Sequence, residues 1–133
     1  MTSTVKYLGE LRTEATHLLS GEKIITDAPP DNQGRGEAFS PTDLCAASLG
    51  ACGTTIMSLF ARDKGIALEG IDFELVKEMS PAPRRIARIV VSYRLRGAFD
   101  DGEFRRIVAA GKACPVRITL GDGVEIVEDY ARA

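Results

Sequence analysis

Tryptophan is absent, histidine occurs once as His17, and aromatic residues make up only 6% of the 133 residues. One histidine leaves no His/carboxylate cluster of ligand spacing, and no Cys-x-x-Cys pair occurs, so neither metal nor another cofactor is expected. His17 is expected merely to occupy a strand. Neither sign of charge is in excess. The net charge of -2 and pI near 5.5 imply no general attraction to nucleic acid. Three cysteines are an odd number, which argues against a disulfide framework and for a reducing, cytoplasmic setting. The first residues, "MTSTVKYLGE", lack the apolar region of a secretory leader, so none is expected.

What is present is an ordinary globular balance of 44% hydrophobic and 27% charged residues. The chain is long enough to bury a core, and residues 1–133 read as a single domain. Leu44 to Ala61 carries no charge and reaches the lower limit of a membrane span. Ser48, Gly50, Gly53, Thr54, Thr55 and Ser58 make it only modestly apolar, which favours a buried central helix.

Punctuation divides the chain. "TVKYL", "RTEATHL" and "EKIITD" form a small antiparallel meander, with turns at Gly9-Glu10 and Ser20-Gly21. "APPDNQGRGEAF" (28–39) is a surface loop. Ser40 then caps a helix with Pro41 at its first position and Asp43 three residues after the cap. This helix runs to about Lys64, where Gly65 can end it. Its apolar residues lie on nearly every side, which calls for enclosure by other structure. Two strands follow, the first with Ile71, Phe73 and Leu75 on one of its faces and the second with Ala87, Ile89, Val91, Tyr93 and Leu95 on one of its own. Arg84, Arg85, Arg88, Arg94 and Arg96 alternate along the second strand as a solvated face, available to Asp72 and Glu74. A helix over 101–111, the segment "ACPVRITL", a "GDG" turn and a strand "VEIVEDY" complete the order βββ-α-ββ-α-β. The fold class is α+β, with antiparallel sheet packed around a long buried helix.

Cys45 and Cys52 lie two turns apart on one helix face, about 10 Å along the axis, too far to bridge. Cys114 precedes Pro115, and a helical turn starting there would set its sulfur against positive backbone potential that favours thiolate. The plainer reading of any buried cysteine is a small hydrophobe.

The pattern "SPTDLCAASLGAC" with a later "ACPV" resembles the OsmC/Ohr family of osmotically induced and organic hydroperoxide resistance proteins, in its general OsmC-like branch. The resemblance implies the OsmC-like fold, an intertwined homodimer with sites at the subunit interface, and thiol peroxidase activity on organic hydroperoxides and hydrogen peroxide. It implies that Cys52 is the peroxidatic cysteine and Cys114 the resolving one. It also implies that an arginine of the N-terminal sheet, best matched by Arg12, contacts the reactive sulfur. Organic hydroperoxide resistance members carry a glutamate after the helix-starting proline, where this chain has Thr42. Asp43 or Glu37 takes that role, or the arginine is held differently; Asp43 reads equally as a capping carboxylate. Cys45 matches no family role and reads as core.

The chemistry adds one requirement. A thiol with a pKa of about 8.5 is only about 3% ionised at pH 7, and burial lowers that fraction. Cys52 is therefore reactive only if a cation approaches it, and Arg12, Arg35 and Arg117 are the candidates. The expected partners are a hydroperoxide, an external dithiol reductant and a second copy of the chain. A reading from another class is a non-catalytic small-molecule-binding or thiol-sensing protein on the same scaffold. A Cys/His hydrolase is weaker, since only His17 could act as base.

Overall fold

Turn and cap chemistry decides where the elements begin and end. The computed structural model describes residues 1–133, which form two compact units, 1–45 and 46–133. In the first unit, β1 (Ser3–Gly9), β2 (Arg12–His17) and β3 (Lys23–Asp27) pair antiparallel in that order. Glu10 and Leu11 link β1 to β2 with φ of 55° and 62°, the left-handed pair whose twist matches that of the flanking strands. His17 ends β2, its Nδ1 2.7 Å from Ser20 Oγ.

The loop at 28–39 is folded back on β3 rather than loose. Asp27 is fully buried, and its Oδ2 accepts the Glu37 backbone N–H at 3.0 Å. The Gly36 N–H reaches Ala28 O at 3.2 Å, and Pro30–Asn32 form a short 3-10 turn.

Helix α1 (Pro41–Asp63) begins with the expected reciprocal cap. The Asp43 N–H donates to Ser40 Oγ and the Ser40 N–H donates to Asp43 Oδ2, each at 3.0 Å. It stops at Gly65, whose φ of 66° lets the Ile66 N–H reach Ala61 O at 2.9 Å.

The second unit contains β4 (Ala67–Ser80), β5 (Arg85–Ala98), α2 (Asp101–Gly111), α3 (Pro115–Leu120) and β6 (Glu125–Arg132). Asp100 and Glu103 cap α2 reciprocally. The sheet order is β4-β5-β6, and here the structure corrects an expectation: β5 and β6 run parallel. The cause is the connection between them. It holds two helices, enough chain to return to the starting end of the sheet, whereas a tight turn would have forced antiparallel pairing. Segment "PVRITL" is likewise a helix, one more than the expected element order contains.

With β5 central, Ile89, Val91, Tyr93 and Leu95 are fully buried along one face. Against them α1 presents the stripe Ala46, Leu49, Gly50, Gly53, Met57 and Ala61. The rest of α1 is more open than its all-round apolar sequence led us to expect, with Ala51 and Leu59 exposed. Its mean hydropathy of 1.6 would suit a membrane span, yet its small residues are fitted to the sheet. A Cβ at Gly50 would lie 2.3 Å from the Phe73 ring, and one at Gly53 would lie 2.5 Å from the Tyr93 hydroxyl. On the opposite face Asp72 is bonded to Arg96 as expected, and Glu78, a carboxylate the sequence reading did not name, lies 3.4 Å from Arg88.

Gly50→Ala therefore tests the helix–sheet fit. Alanine should gain about 1 kcal/mol of helix propensity, but overpacking against Phe73 costs about 1–3 kcal/mol. The expected outcome is net destabilisation in urea unfolding; a more stable variant would contradict the close packing.

Candidate active site

Two turns into the second unit's share of α1, Cys52 sits at the border of the buried stripe, half-buried and packed against the core. Cys114, fully buried, ends the connection from α2 and caps α3. The sequence separates these two sulfurs widely, but the fold brings them together. Both are free thiols, and their side chains are within hydrogen-bonding reach of one another. Cys45, which forms no disulfide, is half-buried in the first unit's portion of α1.

Sequence reasoning expected the start of α3 to favour a thiolate at Cys114. The expected contact is there, with the Arg117 N–H donating to Cys114 Sγ at 3.3 Å. Burial outweighs it. Desolvation pushes the Cys114 thiol above its ordinary pKa, and the neighbouring Cys52 and Glu128 push the same way. Cys114 is thus a protonated donor, and the sulfur beside it is that of Cys52.

Next to the thiols lies a polar network. Glu128 on β6 has a side chain only 4% exposed, and it accepts hydrogen bonds from Arg117 Nε and, at 2.7 Å, from the Tyr130 hydroxyl. The Glu128 hydrogen bond holds Arg117 even more firmly in its charged form. Burial, then Glu128, pushes the Tyr130 phenol upward. Arg117 is consequently no loose surface decoration. Its charge is matched by a buried carboxylate, which weakens any positive potential it offers to the sulfurs.

Tyr130 stacks on Tyr93 with centroids 4.8 Å apart and planes 6° apart. Tyr93 is fully buried on β5, and its hydroxyl meets α1 at Gly53, the residue after Cys52. The Tyr93 phenol is raised chiefly by burial, with the electrostatic influence of the nearby Glu128, Cys114 and Cys52 side chains adding to it.

The other predicted residues lie in the first unit. Arg12, at the start of β2, is 3.7 Å from Glu37 Oε2, while Asp43 bonds Ser40 in the helix cap. Thr42 Oγ1 is 3.1 Å from Ser40 Oγ. Of the carboxylates considered as a substitute for the glutamate absent at Thr42, Glu37 is the one paired with Arg12. Arg35 makes an exposed pair with Glu10 at 3.6 Å.

A model of the family described as OsmC-like protein matches residues 34–129, which holds α1, both thiols and Glu128. The chain belongs to the OsmC-like family. A solved structure from Psychrobacter arcticus, named for osmotic stress induction and detoxification response, is 41% identical with a TM-score of 0.89, covering 100% of this chain and 96% of that one. An OsmC like protein from Mycoplasma pneumoniae has a TM-score of 0.82 at 18% identity, covering 98% of this chain and 95% of its own. An organic hydroperoxide resistance protein OsmC from Legionella pneumophila has a TM-score of 0.73 at 19% identity, covering 98% and 97%. The latter two likenesses concern the fold alone. No curated protein matches the chain in sequence.

Sequence reasoning did not single out Glu128, Tyr130 or a polar role for Tyr93. Alternation marked Tyr93 as core. In "VEIVEDY" two-residue alternation puts Glu128 on the inward face with Ile126 and Tyr130, opposite the exposed Glu125, Val127 and Asp129, and that signal was there to be read.

Two measurements check this geometry. Arg117→Ala leaves Glu128 buried without its cation and should lower stability by about 2 kcal/mol, whereas Arg94→Ala, which breaks an exposed pair with Asp129, should change it by about 0.5 kcal/mol or less. The raised Cys114 value means that folding favours the protonated thiol. That contribution is complete below the ordinary thiol pKa and is lost as pH rises through the higher folded value. Urea stability should accordingly fall above about pH 8.5, and more steeply in the reduced wild type than in Cys114→Ser.

Proposed function

We propose that this protein is a thiol-dependent peroxidase that reduces organic hydroperoxides, with Cys52 as the attacking sulfur and Cys114 as the resolving one. The observation that carries the reading is the pair of unbridged thiols in mutual reach within an apolar core. The Legionella relative's name, organic hydroperoxide resistance protein, supports the substrate class.

In the proposed cycle the Cys52 thiolate attacks the distal peroxide oxygen. The S–O bond forms as the O–O bond breaks, sulfur is oxidised to sulfenic acid, and the alkoxide takes a proton from solvent to leave as alcohol. Cys114 then attacks the oxidised sulfur, forming a disulfide and releasing water. An external dithiol returns two electrons and two protons by thiol exchange. Keeping the Cys114 proton in place suits this order, because Cys114 then donates a hydrogen bond to Cys52 and is not itself the first sulfur to react.

The thiolate needs a positive charge, and Glu128 already neutralises Arg117. We assign that role to Arg12, oriented by Glu37. Asp43 is given the structural task of starting α1. The working unit is proposed to be a cytoplasmic homodimer.

Reduced protein supplied with dithiothreitol should consume an alkyl hydroperoxide over many turnovers, and Cys52→Ser should lower the rate to background. A serine variant at the wild-type rate would overturn the assignment, and a single stoichiometric oxidation without turnover would indicate a sensor. Arg12→Ala should shift the pH profile of Cys52 alkylation upward by about one to three units; an unchanged profile would remove Arg12 from the site.

A further inference from the structure

Tyr93 is fully buried, and its hydroxyl oxygen has neither solvent nor a hydrogen-bond partner. A polar group left this way carries a desolvation penalty that phenylalanine, with the same ring, would avoid. The ring is not free to turn away. Tyr130 stacks on it and Phe73 tilts against it at 5.9 Å. The helix opposite leaves room for the oxygen, because any Cβ at Gly53 would lie 2.5 Å from it. The unpaired donor is therefore held at the residue next to Cys52, beside the thiol pair. Burial, and then the Glu128 carboxylate, keep the phenol protonated wherever the thiols operate, so it is a standing O–H donor without an acceptor.

We propose that Tyr93 is a catalytic hydrogen-bond donor to the oxygen atom that oxidation places on the Cys52 sulfur. This role rests on the peroxidase reading above and adds a residue to it. In the reduced protein the acceptor does not yet exist, which accounts for the unpaired hydroxyl. Transfer of OH from a hydroperoxide to Cys52 creates it. When Cys114 attacks, the S–S bond forms, the S–O bond breaks, and the oxygen departs as water with the Cys114 proton. Negative charge develops on that oxygen as its bond to sulfur lengthens, and a fixed donor aimed at it lowers the barrier.

Tyr93→Phe removes the oxygen and keeps the ring. One equivalent of an alkyl hydroperoxide is added to reduced wild type and variant, and dimedone-trapped sulfenic acid and bridged protein are followed by mass against time. In Tyr93→Phe the bridging step should slow about a hundredfold, with sulfenic acid at Cys52 accumulating. The reduced variant should unfold at the same or a higher urea concentration than wild type. Equal bridging rates in the two proteins would overturn the role. So would a clearly lower urea midpoint, since the hydroxyl would then have a partner before oxidation. A wild type that never forms sulfenic acid at Cys52 would remove the peroxidase reading itself, and this role with it.

Discussion

Everything at the candidate site follows from setting a half-buried sulfur, Cys52, beside a fully buried one, Cys114, against an apolar core. Water solvates a thiolate well and a core solvates it badly, so each element around the pair shifts the balance between thiol and thiolate. The Cys114 position shows the result most plainly. One backbone N–H reaches its sulfur, yet desolvation prevails and the proton stays. Glu128 adds negative charge on the same side and matches that of Arg117. A core arranged in this way supplies hydrogen-bond donors to the sulfurs but little net positive charge. That is why the proposed chemistry calls on Arg12, whose guanidinium is paired with an exposed carboxylate on Glu37 instead of a buried one.

The same core fixes geometry. Gly50 and Gly53 let α1 approach the sheet closely enough for aromatic side chains to touch helix backbone. Phe73, Tyr93 and Tyr130 form a continuous aromatic layer, and Tyr130 ties that layer to Glu128. Cys52 on α1, Cys114 and Arg117 at the start of α3, and Glu128 on β6 thus lie on three different segments joined by one packing surface. Stability and site geometry are coupled here, because a change in the layer moves the phenols and carboxylate that border the thiols.

Much of the fold was legible in the residues. Two-residue periodicity located the strands, and Ile89, Val91, Tyr93 and Leu95 lie buried on one face as their alternation implied. Ser40, Asp43 and Gly65 marked α1 because capping and left-handed termination depend on local chemistry. The parallel pairing of β6 was not legible, since strand direction depends on where a long connection returns. Nor was the Cys52–Cys114 contact, which joins residues far apart in sequence and is set by tertiary packing. The start of α3 was anticipated locally, but its consequence for Cys114 was reversed by burial. Alternation put Glu128 on the inward face with Ile126 and Tyr130, but its partner Arg117 lies on α3 and only the tertiary fold brings it there.

The proposed chemistry requires Cys52 and Cys114 to react with each other. Reduced protein treated with one equivalent of an alkyl hydroperoxide, then blocked, digested and mapped by mass spectrometry, tests this most directly. A cross-linked peptide joining Cys52 to Cys114, with Cys45 alkylated, is the predicted product. Cys52 recovered as sulfinic acid without a bridge, or a bridge that includes Cys45, would contradict it.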